Sequence, residues 1–230
     1  MNVATQPIHL FADSQLLFWK DARGLYLGIL RELIDKPAPK AAYVGASNGD
    51  DPVYYSIFEA AMEAIDISDR RMILSSFGPE DKAFVADADI VLLAGGDAEK
   101  GQSAIDDNGL AELLIKKYQD GALLIGISAG AVQLGLFGIV EMEQSFNRLF
   151  DTLKLAPFVI SAHDEKEDWR SLKEVIQLLN GSAVGIGIST GGGMVYYPDG
   201  SLEALRHPLH NFTVNNGVIA ESLVFPSRDG

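Results

Sequence analysis

The stretch LLIGISAGAVQLG, residues 123–135, drives an apolar run into Ser128 and places Ala129, Gly130 and Ala131 directly behind it. A buried strand leading into a helix accounts for the hydrophobic residues, but not for a hydroxyl at the junction. Gly126, Ser128 and Gly130 stand in the spacing G-x-S-x-G, that of a tight strand-to-helix turn which presents the serine oxygen outward. Glycines suit such a turn because backbone packs on backbone where a Cβ would clash. The helix start behind the serine offers unpaired N–H groups and a positive dipole end, both suited to an oxyanion.

Working outward, apolar runs of strand length alternate with segments of helical period. IHLFA (8–12) reads as a first strand, and the spacing of 16–35 predicts a helix that stops at KPAPK. Strands AAYVGAS, RMILSS, DIVLLAGG and GALLIGIS then alternate with helices VYYSIFEAAMEAI, EDKAFVADA and GLAELLIKKYQD. Nearly continuous apolar strands separated by helices imply an α/β fold, a mostly parallel central sheet flanked by helices on both faces. FVISAH (158–163) and AVGIGIS (183–189) read as further buried strands around the helix DWRSLKEVIQLL. Pro198-Asp199-Gly200 marks a C-terminal β-hairpin at the sheet's edge. With no repeat and no linker, residues 1–230 read as one domain.

The chain has 32 acidic and 18 basic side chains, a formal charge of −14, and no cysteine. Such a balance disfavours nucleic acid as a partner, and the lack of cysteine excludes disulfides, thiolate metal sites and a cysteine nucleophile. No basic n-region with a long apolar stretch opens the sequence and no apolar run reaches about 20 residues, so no membrane association and a cytoplasmic location are expected. There is no H-E-x-x-H and the histidines are scattered, so neither metal nor organic cofactor is expected.

In an open parallel sheet, ligands gather at the carboxyl ends of the strands. SNGDDP, GGDAEKGQ, Ser128 and His163 all fall at such ends, and the expectation is one site on one side of the sheet. Gly95 and Gly96 in AGGD allow a turn, and beside an elbow they can bring an N–H up to a carbonyl oxygen held at Ser128. Of the four histidines, His9 lies inside the first strand, leaving His163, His207 and His210 as bases. A different hydrolase order, Ser128 with Asp199 and then His207 or His210, is weakened by the strong turn around Asp199 and by the lack of an H-G-G-G stretch.

The set YVGASNGDDPVYYSIFEAA, IVLLAGGD, GISAGA, SAHDEKEDWRSL and GIGIS, in this order, resembles peptidase family S51, the dipeptidase E and cyanophycinase group. That resemblance spans roughly residues 8–205 and implies a fold like that of class I glutamine amidotransferases, with serine at the elbow. It makes Ser128 the nucleophile, His163 the general base, and Gly96 and Ala129 the oxyanion donors. Gly95, Asp97, Arg170 and Thr190 become candidate substrate contacts, although Arg170 also reads as an ordinary solvated helix charge.

One departure from the family stands out. The strand matching GIGIS commonly ends there in an acid that orients the histidine, whereas this chain has Ser189 and Thr190. A hydroxyl stabilises an imidazolium far less than a carboxylate does. Glu143, or Glu141, is the expected substitute; Asp164 and Glu165 adjoin the histidine, but neighbours on a strand rarely face each other. The resemblance thus implies a serine peptidase of small peptide or isopeptide bonds, suited to an acidic residue beside the scissile bond, with a homodimer allowed. The alternatives are a family member that binds a small ligand without efficient turnover, and the esterase arrangement above.

Overall fold

The computed structural model describes residues 5–140 and 148–227. Ile8–Phe11 forms β1, buried throughout. The chain then departs from the continuous helix expected over 16–35. A 3-10 turn at Ser14–Phe18 is followed by a small ribbon of β2 (Lys20–Asp21) against β3 (Gly24–Leu25), and only then by α1 (Tyr26–Glu32). The intervening Asp21-Ala22-Arg23-Gly24 breaks the helix: the Asp21 carboxylate accepts the Arg23 N–H at 2.7 Å, and Gly24 adopts φ 126°.

From there the alternation is observed. β4 (Lys40–Val44), α2 (Pro52–Glu63), β5 (Asp69–Ile73), α3 (Pro79–Asp87) and β6 (Ile90–Leu93) follow in turn. Two helices, α4 (Ala98–Asp107) and α5 (Leu110–Gln119), precede β7 (Leu123–Ile127) and the short α6 (Ala129–Leu134). The sequence had marked the start of α4 only as a polar loop, but Asp97 caps it by accepting the Lys100 N–H at 3.0 Å.

β8 (Phe137–Val140) pairs with β9 (Arg148–Asp151), and β10 (Phe158–Ala162) leads through α7 (Arg170–Leu178) to β11 (Val184–Ile188). Two hairpins close the chain, β12 (Gly193–Tyr196) with β13 (Leu202–Leu205), and β14 (Leu209–Asn215) with β15 (Val218–Val224).

The seven-stranded sheet has the order β13-β12-β1-β7-β6-β4-β5. Its five strands from β1 to β5 are mutually parallel, and the Pro198-Asp199-Gly200 hairpin lies antiparallel at one edge. Side chains alternate between its faces as the pleat requires. Ala41, Tyr43, Leu92 and Ile125 pack toward α1 and α2, while Ala42, Val44, Val91, Leu93 and Leu124 pack toward α3–α6.

β10 and β11 do not join this sheet, contrary to the expectation of one sheet carrying the whole site. They pair in parallel with each other and continue into β14 and β15 as a separate sheet of four strands. One face of that sheet, with Ile160, Ile186 and Leu209, joins the core beside α6; the other, with Val159 and Phe212, is covered by α7. Both sets of strands are apolar on both faces, so hydropathy could not assign them to different sheets.

His9, on β1, is buried against Phe11 and Tyr26, and its Nδ1 lies 2.9 Å from the Tyr26 hydroxyl. Its Nε2 is buried with no hydrogen-bond partner. Burial pushes the imidazole down to about 3 from the ordinary 6.5. The unfolded chain therefore binds a proton at this residue between those pH values and the folded chain does not. The stability gained by keeping His9 neutral is complete above pH 6.5 and is lost as the pH falls toward 3. Chemical denaturation of wild type and His9→Gln from pH 7 to pH 4 checks this. The wild type should lose up to about 1.4 kcal/mol more per pH unit than the variant, so that the two stability curves converge on acidification.

Candidate active site

Ser128 sits between β7 and α6 with φ 50° and ψ −108°, a conformation non-glycine residues rarely hold. Hydrogen bonds on both sides fix it: its N–H donates to the Phe11 carbonyl at 2.8 Å, and its carbonyl accepts the Val132 N–H at 3.1 Å. The glycines around it are steric necessities. A Cβ on Gly126 would stand 2.5 Å from the Gly130 carbonyl oxygen, and one on Gly130 would stand 2.1 Å from the Leu93 carbonyl oxygen. Thus β6, β7 and α6 meet backbone to backbone, and the serine side chain is driven outward at the strand ends.

The loop after β6 packs just as tightly. Gly96 adopts φ 134°, and a Cβ there would lie 2.2 Å from the Ser47 carbonyl oxygen. The same Ser47 carbonyl holds the loop, accepting the Asp97 N–H at 2.8 Å. Gln133 of α6, 1% exposed, donates to the Ser47 hydroxyl at 3.0 Å and to the Ala98 carbonyl at 3.1 Å. The sequence reading missed Gln133; a lone glutamine in an otherwise small and apolar helix was the available signal. It ties the Gly96 loop to the helix that begins at Ala129.

His163 comes from the second sheet. It follows β10, its N–H donates to the Ile188 carbonyl at 2.9 Å, and its backbone turns through φ 50°. The turn brings Nε2 to 2.7 Å from Ser128 Oγ. His210 instead pairs with Glu221 at 2.7 Å, and Asp199 holds the Ser201 N–H in the hairpin turn at 2.9 Å. Among the described residues, the histidine that meets Ser128 Oγ is His163.

Two clefts flank Ser128 and His163. The first, about 240 Å³, lies toward α2 and includes Leu17, Tyr54, Ile57, Phe58, Gly95 and Gly96. The second, about 390 Å³, lies toward α6 and β10 and includes Gly96, Ala129, Val132, Ile160 and Asp164. Gly95, Gly96 and Ala129 border these clefts. Asp97 is occupied as the α4 cap. Arg170 is exposed, lies 3.6 Å from Glu167, and borders neither cleft; α7 buries Leu172, Val175 and Ile176 instead. Glu141 and Glu143 lie outside the described residues.

Thr190 also borders neither cleft, but it holds a carboxylate that the sequence reading had passed over. Its N–H donates to Glu165 Oε1 at 3.3 Å, and Glu165 Oε2 is buried with no hydrogen-bond partner. Burial works to raise the Glu165 carboxyl; hydrogen bonds from Thr190 and the charge of His163 outweigh it and hold the group below its usual range. The strand rule that set Glu165 aside does not apply to it, because the strand ends at Ala162 and the chain turns at His163. Among the described residues, no cluster of three or more His, Asp or Glu is disposed to hold a metal ion.

The elbow's strain gives a pair of opposite expectations for thermal melts. Ser128→Gly relaxes the backbone, which after glycine's own entropy cost leaves a gain of about 1 kcal/mol. Gly130→Ala forces a Cβ into the Leu93 carbonyl and should lower stability by about 3 kcal/mol.

The model of peptidase family S51 matches residues 22–203 of the chain. No curated protein sequence matches it. Among solved structures, a peptidase from an acI-B1 Actinobacterium superposes with a TM-score of 0.71 at 14% identity, covering 99% of this chain and 97% of that one. A putative peptidase E protein from Listeria monocytogenes EGD-e gives a TM-score of 0.64 at 15% identity, covering 88% of this chain and 99% of that one. These two likenesses bear on the fold. The family match extends over most of the sequence, elbow and histidine included, and the chain belongs to peptidase family S51.

Proposed function

We propose that this peptidase is a serine-type hydrolase of small peptides, with Ser128 as nucleophile and His163 as general base. The observation that carries the reading is the 2.7 Å approach of Ser128 Oγ to His163 Nε2 on a strained strand-to-helix turn. In the reaction, Ser128 Oγ adds to the peptide carbonyl while Nε2 takes its proton. The carbonyl oxygen becomes an oxyanion, for which the N–H groups of Gly96 and Ala129 are the proposed donors. The C–N bond then breaks as the imidazolium returns the proton to the leaving amine. Water repeats the sequence on the acyl ester and frees Ser128.

The imidazolium needs a counter-charge, and we assign it to Glu165. The carboxylate is anchored by Thr190, at the strand end where the family usually has its acid, and its Oε2 is buried and open to a donor. It is a positioning residue rather than a catalytic one, because it acts through His163. Glu143 is the competing assignment.

Labelling with a fluorophosphonate probe tests the nucleophile: wild type should be modified at Ser128, and Ser128→Ala and His163→Ala should not. If no labelling occurs in any form, the serine mechanism falls and a ligand-binding role for the clefts replaces it. Glu165→Gln should lower kcat about 100-fold with KM little changed, since the imidazolium loses its stabilising charge in the transition state. That change in Glu143→Ala, with none in Glu165→Gln, would transfer the role to Glu143.

A further inference from the structure

The first cleft has a chemistry at odds with an acidic substrate residue. Resting on the serine-peptidase reading, we infer that it is an apolar subsite that accepts a bulky aliphatic or aromatic side chain flanking the scissile bond. At about 240 Å³ it falls below the roughly 300–1,000 Å³ of sites for whole small molecules, a size that suits one side chain and its amide. Its walls are the buried Leu17 and Phe58, the half-buried Ile57, and Tyr54, which is 53% exposed at the mouth. Tyr43 lies beneath, its ring 5.3 Å from that of Phe58 and its hydroxyl accepting from Asn48 Nδ2 at 2.8 Å. Burial first, and the nearby Asp51 and Asp50 charges in addition, push this phenol up to about 12, so it is neutral at ordinary pH.

No lysine or arginine is among the described residues bordering either cleft. Aside from His163, the charged side chain is Asp13 in the first and Asp164 in the second. Residues 141–147, EMEQSFN, contain no lysine or arginine either. Arg170, the cation that the family resemblance pointed to, is turned to solvent beside Glu167. A substrate carboxylate entering the first cleft would be desolvated with no lysine or arginine in the lining and would face Asp13, both unfavourable. A Leu, Met or Phe side chain would bury its surface against matching walls.

Two measurements test this separately from the mechanism. Calorimetric binding of dipeptides to Ser128→Ala reads the cleft without turnover; peptides with Leu or Phe at one of the two positions should bind at least about tenfold tighter than those with Asp. In wild type the same preference should appear in kcat/KM. Ile57→Arg, which puts a cation in the wall, should narrow or reverse it, with the surface variant Tyr54→Arg as a second probe should Ile57→Arg fail to fold. Binding to Ser128→Ala that is equal for both classes, or tighter for Asp at both positions, overturns the subsite whatever the turnover. Absence of fluorophosphonate labelling with the apolar binding preference intact would instead overturn the serine mechanism and leave the subsite standing.

Discussion

The contact on which the site depends is between two stretches of backbone. Gly130, in the first turn of α6, lies so close to the Leu93 carbonyl at the end of β6 that no side chain fits between them. This contact sets the depth at which α6 seats on the sheet. The depth, together with the Gly126 approach from β7, forces the turn at Ser128 and its positive φ. The side-chain oxygen is outward because nothing else at that junction can be. The same seating places Gln133 where it can reach Ser47 and Ala98, so the Gly96 loop is held against the helix start by a buried hydrogen-bond network rather than left as a free loop.

The second sheet completes what the first begins. Its apolar inner face packs beside α6, so the end of β10 lies over the elbow, and the backbone turn at His163 swings the imidazole down to the serine. Ser128 and His163 thus come from two sheets whose relative placement is fixed by the core between them. Hydrophobic packing, which is non-directional, sets the approach; the Ile188 carbonyl and the left-handed turn then set the angle.

Charge at the site is arranged sparingly. Thr190, just after β11, contributes an N–H to Glu165. The clefts, by contrast, hold acids and no bordering lysine or arginine among the described residues, in a chain with a formal charge of −14.

Much of this was legible in the residues. The apolar runs from β4 to β7 declared parallel strands with helices between them, and G-x-S-x-G declared a turn, because steric demands on a strand-to-helix junction are local and leave few solutions. Pro198-Asp199-Gly200 declared its hairpin for the same reason, and Asn216-Gly217 carried an equally local signal for β14 and β15 that the sequence reading did not take up. The helix expected over 16–35 failed because apolar spacing outweighed a turn signal at Asp21–Gly24 that was equally visible. What tertiary structure alone decided was assembly: which sheet β10 and β11 join, that Glu165 folds back onto Thr190 while Arg170 faces water, and that α2 lines one cleft with aromatic and aliphatic side chains. These are contacts between segments far apart in the chain or across sharp backbone turns. A residue's type and spacing fix what it can do locally, but the neighbours that determine its role are chosen by how the layers pack.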